Sequence, residues 1–329
     1  MSKVSKNIRS RAAVLAACGV IVVVGAVATV VSFRSSPGRG SQAGAMVDIG
    51  GYELHLTCTG RGSPTVLLES GNGPTSSAWA WVQPEIAETT RVCSYDRAGT
   101  GRSEESPNPR DAHHIAQELH SLVEAAQIEL PLVLVGHSYG GLYVRQYAAM
   151  YPGDVAGMVL VDSAHPDQWS RVPGGTEQYD SIVASMSSPI EVAPTAPPLD
   201  PDLPPAAGKR MAVEGNTVRH LNTARAEFLA TTATNDQVRG GSVRLANMPL
   251  VVLAATNHDF PPEMQVQMER IHLDMQRELA GLSSGGVLRV VNGADHNGLL
   301  SNEASAHTTA RAIADVLTSA RNGGTLSGT

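Results

Sequence analysis

A serine between two glycines stands at the end of an apolar run of the chain. Ser138 is the centre of a G-x-S-x-G motif that follows the apolar residues 132–135 and precedes residues 142–150, whose composition suits a helix. Such a motif predicts a sharp strand-to-helix turn, for which Gly136 and Gly140 leave the space. The turn would hold the Ser138 hydroxyl out at the end of a sheet, beside helical N–H groups that stabilise negative charge. The pattern therefore predicts a nucleophile elbow with Ser138 as the nucleophile.

A serine hydroxyl attacks a carbonyl carbon only when a base takes its proton, and an acid usually orients that base. Among the 11 histidines, His296 comes shortly after residues 287–291, the last segment whose composition suits a strand. It lies in a polar loop that would leave the sheet at the same end as the elbow. We therefore predict His296 as the base.

Two aspartates are candidates for the acid that orients the base. Asp162 comes directly after the apolar residues 158–161, and Asp259 comes a few residues after the apolar residues 250–254. Asp162 needs no intervening loop and would follow the strand beside the elbow strand. We therefore predict Asp162 as the acid and keep Asp259 as the alternative.

Acyl transfer also requires N–H donors for the oxygen that becomes negative. These are usually the N–H of the residue after the nucleophile and one from the loop after the third strand. In this chain the two positions are Tyr139 and Asn72. Asn72 lies in the glycine-rich loop 69–74, whose backbone could approach a ligand closely. Tyr139 and Asn72 are therefore the predicted oxyanion hole.

A sheet must hold these residues at one edge. Short apolar segments alternate with helical ones, which is typical of an α/β fold with a mostly parallel sheet and helices on both faces. The predicted strands are residues 46–49, 52–58, 65–69, 92–95, 132–135, 157–161, 250–254 and 287–291. The alternation stops after the sixth strand for about 85 residues, well beyond an ordinary connection. We therefore predict a lid insertion at about residues 164–247, with helical spacing in residues 209–238.

The N-terminal part of the sequence is typical of a membrane anchor. Residues 12–33 are uncharged and almost wholly apolar, which is enough to cross a bilayer as a helix. Basic residues precede them, so residues 1–11 are expected in the cytoplasm and the catalytic domain outside the cell membrane. A signal peptide cleaved near residues 26–28 is the alternative, and it would give a secreted protein. We expect a flexible linker at 34–45, a hydrolase domain at 46–321 and a flexible tail at 322–329.

Two cysteines of the predicted domain, Cys58 and Cys93, lie on segments with the composition of strands. An exported domain is an oxidising setting, in which these thiols could pair if the two strands are antiparallel neighbours. The alternative is that they are two small buried apolar residues. The sequence leaves both possibilities open.

Charge and composition exclude some partners. The net charge is −7, and the chain has no basic cluster beyond its first residues, which argues against nucleic acid. An aromatic content of 4% argues against a base-stacking surface as well. No His or Cys spacing indicates metal ligands, and His113 and His114 lack the H-E-x-x-H pattern. We therefore expect a small-molecule substrate, no metal and no cofactor.

Several segments together resemble the α/β-hydrolase fold serine hydrolases across about residues 46–320. They are TVLLESGN at 65–72, YDRAGTGRS at 95–103, the elbow, LVDSAHP at 160–166 and GADH at 293–296. The resemblance implies an eight-stranded sheet, Ser138 and His296 as catalytic residues, and an acid after the sixth or seventh strand. The chain departs from the common pattern at Ser70, where many members carry histidine. Asp96 and Arg97 are expected to brace a turn rather than to do chemistry.

The resemblance implies an esterase or lipase-like enzyme that acts on carboxylic esters through an acyl-enzyme intermediate. A cofactor-free perhydrolase or haloperoxidase could use the same three residues, and a ligand-binding protein could keep the fold without turnover. The nucleophile is a serine, which argues against the dehalogenase and epoxide hydrolase branches of the fold, since these use a carboxylate.

Overall fold

The computed structural model describes residues 44–193, 199–241, 245–324 and 326. An eight-stranded sheet forms its centre, with the strand order β1-β2-β4-β3-β5-β6-β7-β8. Strand β2 is antiparallel to β1 and β4, and all other neighbouring pairs are parallel. The strands are β1 (Ala45–Asp48), β2 (Glu53–Thr59), β3 (Thr65–Glu69), β4 (Val92–Tyr95), β5 (Leu132–His137), β6 (Val155–Val161), β7 (Leu250–Ala255) and β8 (Gly286–Val291). The predicted fold class is confirmed.

Helices connect the parallel strands. They are α1 (Val82–Ala87), α2 (Ala112–Ala125), α3 (Tyr139–Met150), α4 (Gln168–Arg171), α5 (Gly175–Ser185), α6 (Pro205–Glu214), α7 (Val218–Leu229), α8 (Thr231–Gly240), α9 (Gln265–Ala280), α10 (Gly298–Ser301) and α11 (Glu303–Asn322). Two short 3-10 turns, Ser76–Trp79 and Pro152–Asp154, complete the described elements.

The sheet separates two apolar cores because successive side chains of a strand point to opposite faces. On β5, Leu132 and Leu134 belong to the core that includes residues of α2, whereas Val133 and Val135 belong to the core that includes residues of α11. All four side chains are fully buried. A strand that is buried on both faces has no polar side, which explains the continuous apolar run in the sequence.

Five helices, α4 to α8, lie between β6 and β7 and occupy the region predicted as a lid insertion. Helix α6 starts with Pro205 in its first turn, where proline is favourable because the missing N–H would have no helical partner. Helix α7 starts after Thr217, whose side chain accepts a hydrogen bond from the N–H of His220. The helical spacing predicted for residues 209–238 therefore corresponds to α6, α7 and α8. That these helices act as a lid stays a prediction.

Cys58 and Cys93 form a disulfide bond. They are directly opposite each other in the antiparallel pair of β2 and β4, with 4.1 Å between their Cα atoms. Strand pairing, which the sequence could not specify, decides between the two possibilities for these thiols.

Within the described part of the chain, none of the helices combines the length and apolar character needed to cross a bilayer. The predicted membrane-spanning residues 12–33 lie outside the described residues, as do residues 1–11 and most of the predicted linker.

Candidate active site

The elbow at Ser138 joins β5 to α3. The backbone of Ser138 has φ 54° and ψ −124°, a left-handed conformation that is costly for a residue with a side chain. A Cβ atom at Gly136 would lie 2.5 Å from the carbonyl oxygen of Gly140, and one at Gly140 would lie 2.5 Å from that of Glu69. Both glycines are therefore required by close backbone contacts, as the sequence predicted.

Ser138, Asp162 and His296 line one cavity of about 220 Å³ at the carboxyl ends of β5 and β6. The Nδ1 atom of His296 lies 2.6 Å from Oδ2 of Asp162. The carbonyl oxygen of Ser138 accepts hydrogen bonds from the N–H groups of Gly141 and Ala164, at 3.0 Å each, which holds the elbow against the segment after β6. The fold thus brings together the predicted nucleophile, base and first-choice acid.

Asp162 is buried in the wall of the cavity, where its carboxylate takes part in several hydrogen bonds. Its Oδ1 accepts the N–H of Ala255 at 2.9 Å and lies 2.9 Å from Nε2 of His272. Its Oδ2 lies 2.6 Å from Nδ1 of His296 and 3.3 Å from Nε2 of His258. Burial raises the pKa of the Asp162 carboxyl, but the bonds from these three histidines outweigh burial and hold the pKa well below its ordinary value.

The alternative acid, Asp259, is exposed on the loop after β7 and is not among the described residues that line the cavity. The same loop instead contributes His258. Burial lowers the pKa of His258, yet hydrogen bonds and charge interactions with Asp162 and Glu269 more than compensate, so the pKa is raised. His258 and His272 are site residues that the sequence analysis missed, because no local motif marks either of them.

His137 lies beneath the base. Its Nε2 donates a hydrogen bond to the carbonyl oxygen of His296 at 2.9 Å, and the two ring centroids are 4.6 Å apart. Burial and the neighbouring His296 lower the pKa of His137 to about 3, so its ring is neutral at physiological pH. His137 therefore fixes the backbone position of His296 without adding charge to the cavity.

The loop after β3 packs against the nucleophile. A Cβ atom at Gly71 would lie 2.9 Å from Cβ of Ser138, which shows how closely the loop approaches. The neighbouring Asn72 uses its side-chain amide to donate to the carbonyl oxygen of Ala224 on α7, at 2.8 Å. Tyr139 lines the cavity. The structure thus places the loop and Tyr139 beside Ser138, and their role as an oxyanion hole stays a prediction.

Ser70, where the chain departs from the common pattern, is buried beneath this loop. Its hydroxyl accepts a hydrogen bond from Nε1 of Trp79 at 3.0 Å. The residue therefore anchors the start of the loop.

Arg97 braces the same loop from the other side. Its Nη1 donates to Oε1 of Glu69 and to the carbonyl oxygen of Ser70, each at 2.6 Å, and its Nη2 donates to the carbonyl oxygen of Gly71 at 2.8 Å. Its Nε and Nη2 also form a bidentate ion pair with Glu227 of α7, with both distances 2.8 Å. All three charged side chains are buried. The arrangement agrees with a bracing function and extends it to α7.

A larger cavity of about 380 Å³ is lined by residues of β2 and α6, among them Thr57 and Arg210. Ser138 is not among the described residues that line it. The cavity beside the elbow is therefore the one with the chemistry of an active site, although it is the smaller of the two.

The chain is similar to known proteins over most of its length. Residues 66–312 match the sequence model of the Alpha/beta hydrolase family. An AB hydrolase superfamily protein of Gibberella zeae is 38% identical over 104 residues, which cover 30% of this chain and 32% of that protein. The matches span only 22% and 43% of the first two curated relatives.

Solved structures show the same fold. Cfl2 of Burkholderia cenocepacia aligns with a TM-score of 0.62 at 19% identity, over 83% of this chain and 95% of that one. An enol-lactonase of Burkholderia xenovorans LB400 aligns with a TM-score of 0.56 at 20% identity, over 83% and 100%. Together with the family match over most of the chain, the fold and the elbow lead to one conclusion: the chain belongs to the alpha/beta hydrolase family.

Proposed function

We propose that this protein is a serine hydrolase that cleaves carboxylic esters through an acyl-enzyme intermediate. The observation that carries the proposal is the 2.6 Å contact between His296 Nδ1 and Asp162 Oδ2 in the cavity that Ser138 also lines. A buried carboxylate that binds the Nδ1–H of an imidazole leaves Nε2 as the acceptor nitrogen. The ring is then prepared to take a proton from a hydroxyl.

In the proposed reaction, Ser138 Oγ forms a bond to the ester carbonyl carbon while Nε2 of His296 takes the hydroxyl proton. The tetrahedral intermediate collapses, the bond to the alkoxide breaks, and the alkoxide leaves as an alcohol with the proton from His296. A water molecule then attacks the acyl-serine, again giving a proton to His296, which returns it to Ser138 as the acid departs. Asp162 stays ionised throughout and stabilises the imidazolium.

The backbone N–H groups of Tyr139 and Asn72 are the proposed donors for the oxyanion. The left-handed turn at Ser138 and the close approach of Gly71 support this assignment, since both bring backbone next to the nucleophile. Loss of one such donor typically raises the barrier by about 3–4 kcal/mol.

Esters with short acyl groups are the proposed substrates. The cavity of about 220 Å³ is smaller than the roughly 300–1,000 Å³ typical of pockets for drug-sized ligands. Its described lining includes His165 and Gln168, which follow β6, and Met275 of α9. The enol-lactonase with the same fold acts, by its name, on a cyclic ester, which agrees with an ester substrate.

A serine-directed phosphonate probe tests the proposal. We expect one covalent adduct on Ser138, found by mass spectrometry of the full chain, and none in the Ser138→Ala variant. Ser163→Ala is the matched control because Ser163 lines the same cavity, and this variant should keep the adduct. On p-nitrophenyl esters, kcat/KM should fall as the acyl chain lengthens from acetate to octanoate. A folded protein without an adduct on Ser138 would favour a non-catalytic ligand-binding protein.

We also propose that residues 12–33 anchor the chain in the cell membrane with the catalytic domain outside. The uncharged apolar run and the basic residues before it support this topology. Fractionation of expressing cells should place the full chain in the membrane pellet, and protease added to intact spheroplasts should cut it. Release into the medium with a shortened N-terminus would instead indicate a cleaved signal peptide.

A further inference from the structure

We propose that Asp162, His258 and His272 form a site for a zinc ion, and that zinc bound there inhibits the enzyme by withdrawing Asp162 from His296. The inhibitory part rests on the proposed function. The binding part rests only on the geometry of the three side chains.

The fold assembles this group from three separate elements. Asp162 follows β6, His258 lies in the loop after β7, and His272 is on α9. One possible ligand atom from each residue lies within 4.8 Å of the other two, and this is the one such set among the described residues. Because the residues are far apart in sequence, no spacing motif could reveal them.

Two spacings in this group can be compared with those of a tetrahedral zinc site. Zinc–nitrogen and zinc–oxygen bonds of about 2.0–2.2 Å place neighbouring ligand atoms roughly 3.3–3.5 Å apart. In the structure, Nε2 of His258 lies 3.3 Å from Oδ2 of Asp162, and Nε2 of His272 lies 2.9 Å from Oδ1. These two distances end on different oxygens of the carboxylate, and the three ligand atoms all lie within 4.8 Å of one another, so zinc would draw the two imidazoles together around Asp162 and keep an open fourth position.

The donor set favours zinc over the hard cations. Two imidazole nitrogens and one carboxylate suit zinc, whereas magnesium and calcium prefer oxygen ligands only. The second independent feature is Glu269, whose Oε1 lies 3.2 Å from Nδ1 of His258. A carboxylate on the outer nitrogen of a histidine is the usual support of a zinc ligand, since it fixes the tautomer and turns Nε2 toward the metal.

Zinc at this position would oppose the proposed reaction in two ways. It would compete with Nδ1 of His296 for the lone pairs of Asp162. Its charge of +2 would also disfavour the imidazolium that forms when His296 takes the proton of Ser138. Both effects act on the proton transfer, so both lower kcat. Among the described residues, the titratable groups hydrogen-bonded to Asp162 are His258, His272 and His296, with Glu269 behind His258, and the buried His137 interacts with Asp162 electrostatically.

Calorimetric titration of ZnCl₂ into the EDTA-treated full chain tests the binding. We expect one high-affinity zinc ion per chain and no comparable binding of MgCl₂. Glu269→Gln removes an outer partner of a ligand and should weaken zinc binding by roughly 10–100-fold. His258→Gln and His272→Gln each remove a ligand and should weaken it by more. His114→Gln is the matched control, because His114 also lies 3.0 Å from an aspartate, Asp111, but outside the cavity. It should leave zinc affinity unchanged.

Kinetic measurements on the same samples distinguish this proposal from the proposed function. In the wild type, zinc should lower kcat for a short ester, EDTA should restore it, and KM should change little. Failure of the metal-free enzyme to hydrolyse esters, with zinc bound by the wild type and not by His258→Gln or His272→Gln, would contradict the proposed function but leave the metal site. Equal zinc affinity in the wild type and in the His258→Gln, His272→Gln and Glu269→Gln variants would overturn the site. Zinc binding that depends on His258 and His272 but leaves kcat unchanged would overturn the inhibitory role of zinc. Glu269→Gln keeps the test valid if a histidine variant fails to fold.

Discussion

At the scale of single residues, Asp162 is the side chain on which the proposed chemistry most depends. Its left-handed backbone, with φ 42°, is an unfavourable conformation for aspartate and places the carboxylate between β7 and the base. We predict that Asp162→Asn lowers kcat for a short ester by roughly 10⁴-fold, because an amide no longer stabilises the imidazolium. Steady-state kinetics on the purified full chain would measure the loss.

Asp259→Asn is the matched control for this prediction, since it makes the same change at the exposed alternative position. Its kcat should stay close to that of the wild type. The assignment of the acid would be wrong if Asp259→Asn, and not Asp162→Asn, abolished turnover.

The sequence could place Asp162 and His296 at one edge of the sheet because Asp162 directly follows a predicted strand and His296 lies in the loop after another. It could not find His258 or His272. His258 stands in an irregular loop, and His272 lies on a helix whose facing surface depends on how α9 packs beside β7. Whether these two histidines reach the cavity depends on tertiary packing, which the local sequence does not indicate.

His137 makes the stability of the protein depend on pH. Its pKa is about 3 in the folded protein and about 6.5 when unfolded, so the unfolded chain binds more protons between these values. The free energy of unfolding of the wild type should therefore fall as pH falls through this window. His137→Asn removes the titrating ring. Between about pH 7 and pH 4, the free energy of unfolding of the wild type should therefore fall by up to about 3 kcal/mol relative to that of the variant.

Urea unfolding of both proteins at several pH values would measure this difference. His165, whose pKa burial also lowers, to about 4, is present in both proteins and cancels in the comparison. A difference that is constant with pH would contradict the interpretation of His137 as a buried neutral ring.

At the scale of elements, Arg97 joins the end of β4, the loop after β3 and helix α7. Removing one partner of a buried ion pair typically costs about 3–5 kcal/mol, because the remaining charge stays buried. Arg97→Met should therefore destabilise the protein by about this amount, since it leaves both Glu69 and Glu227 buried without a counter-charge. Glu227→Gln should cost less, because Arg97 keeps Glu69 as its partner.

Chemical denaturation would measure both changes, with Arg277→Met as the control. Arg277 pairs with Asp274 at 2.5 Å on the surface of α9, and its side chain is 57% exposed. An exposed pair of this kind contributes less than about 1 kcal/mol. Equal losses for Arg97→Met and Arg277→Met would show that the buried network does not stabilise the fold.

The elements themselves were largely predictable, and most clearly the inner strands β3, β5 and β7, because strands buried on both faces have a continuous apolar sequence. Each of the eight strands lies where the sequence indicated, within a few residues at its ends. The helices between β6 and β7 were predicted only in outline. Helix α8 packs against α2 and α3, and α6 packs against the 3-10 turn Ser76–Trp79. Few of their side chains are buried, so the apolar periodicity of these helices is weak.

At the scale of the whole molecule, the disulfide ties the antiparallel edge of the sheet to its parallel part. Cys58 on β2 and Cys93 on β4 are 35 residues apart in sequence. Closing a loop of this length should stabilise the folded state by about 3–4 kcal/mol, mainly because it restricts the unfolded chain. Reduction should therefore lower the free energy of unfolding by that amount and leave the parallel strands around the elbow folded in the absence of denaturant.

Urea unfolding with and without reductant tests this prediction, with Cys18→Ser in every protein so that the third cysteine cannot exchange with the pair. The matched control carries Cys58→Ser and Cys93→Ser as well. It should unfold at the same urea concentration under both conditions, close to the midpoint of the reduced protein. An unshifted midpoint in the protein that retains the pair, with reduction verified by mass spectrometry, would show that strand pairing alone holds this edge. A shift that appears there and not in the control would identify the disulfide as the cause, since the two proteins differ only at these two sulfur atoms.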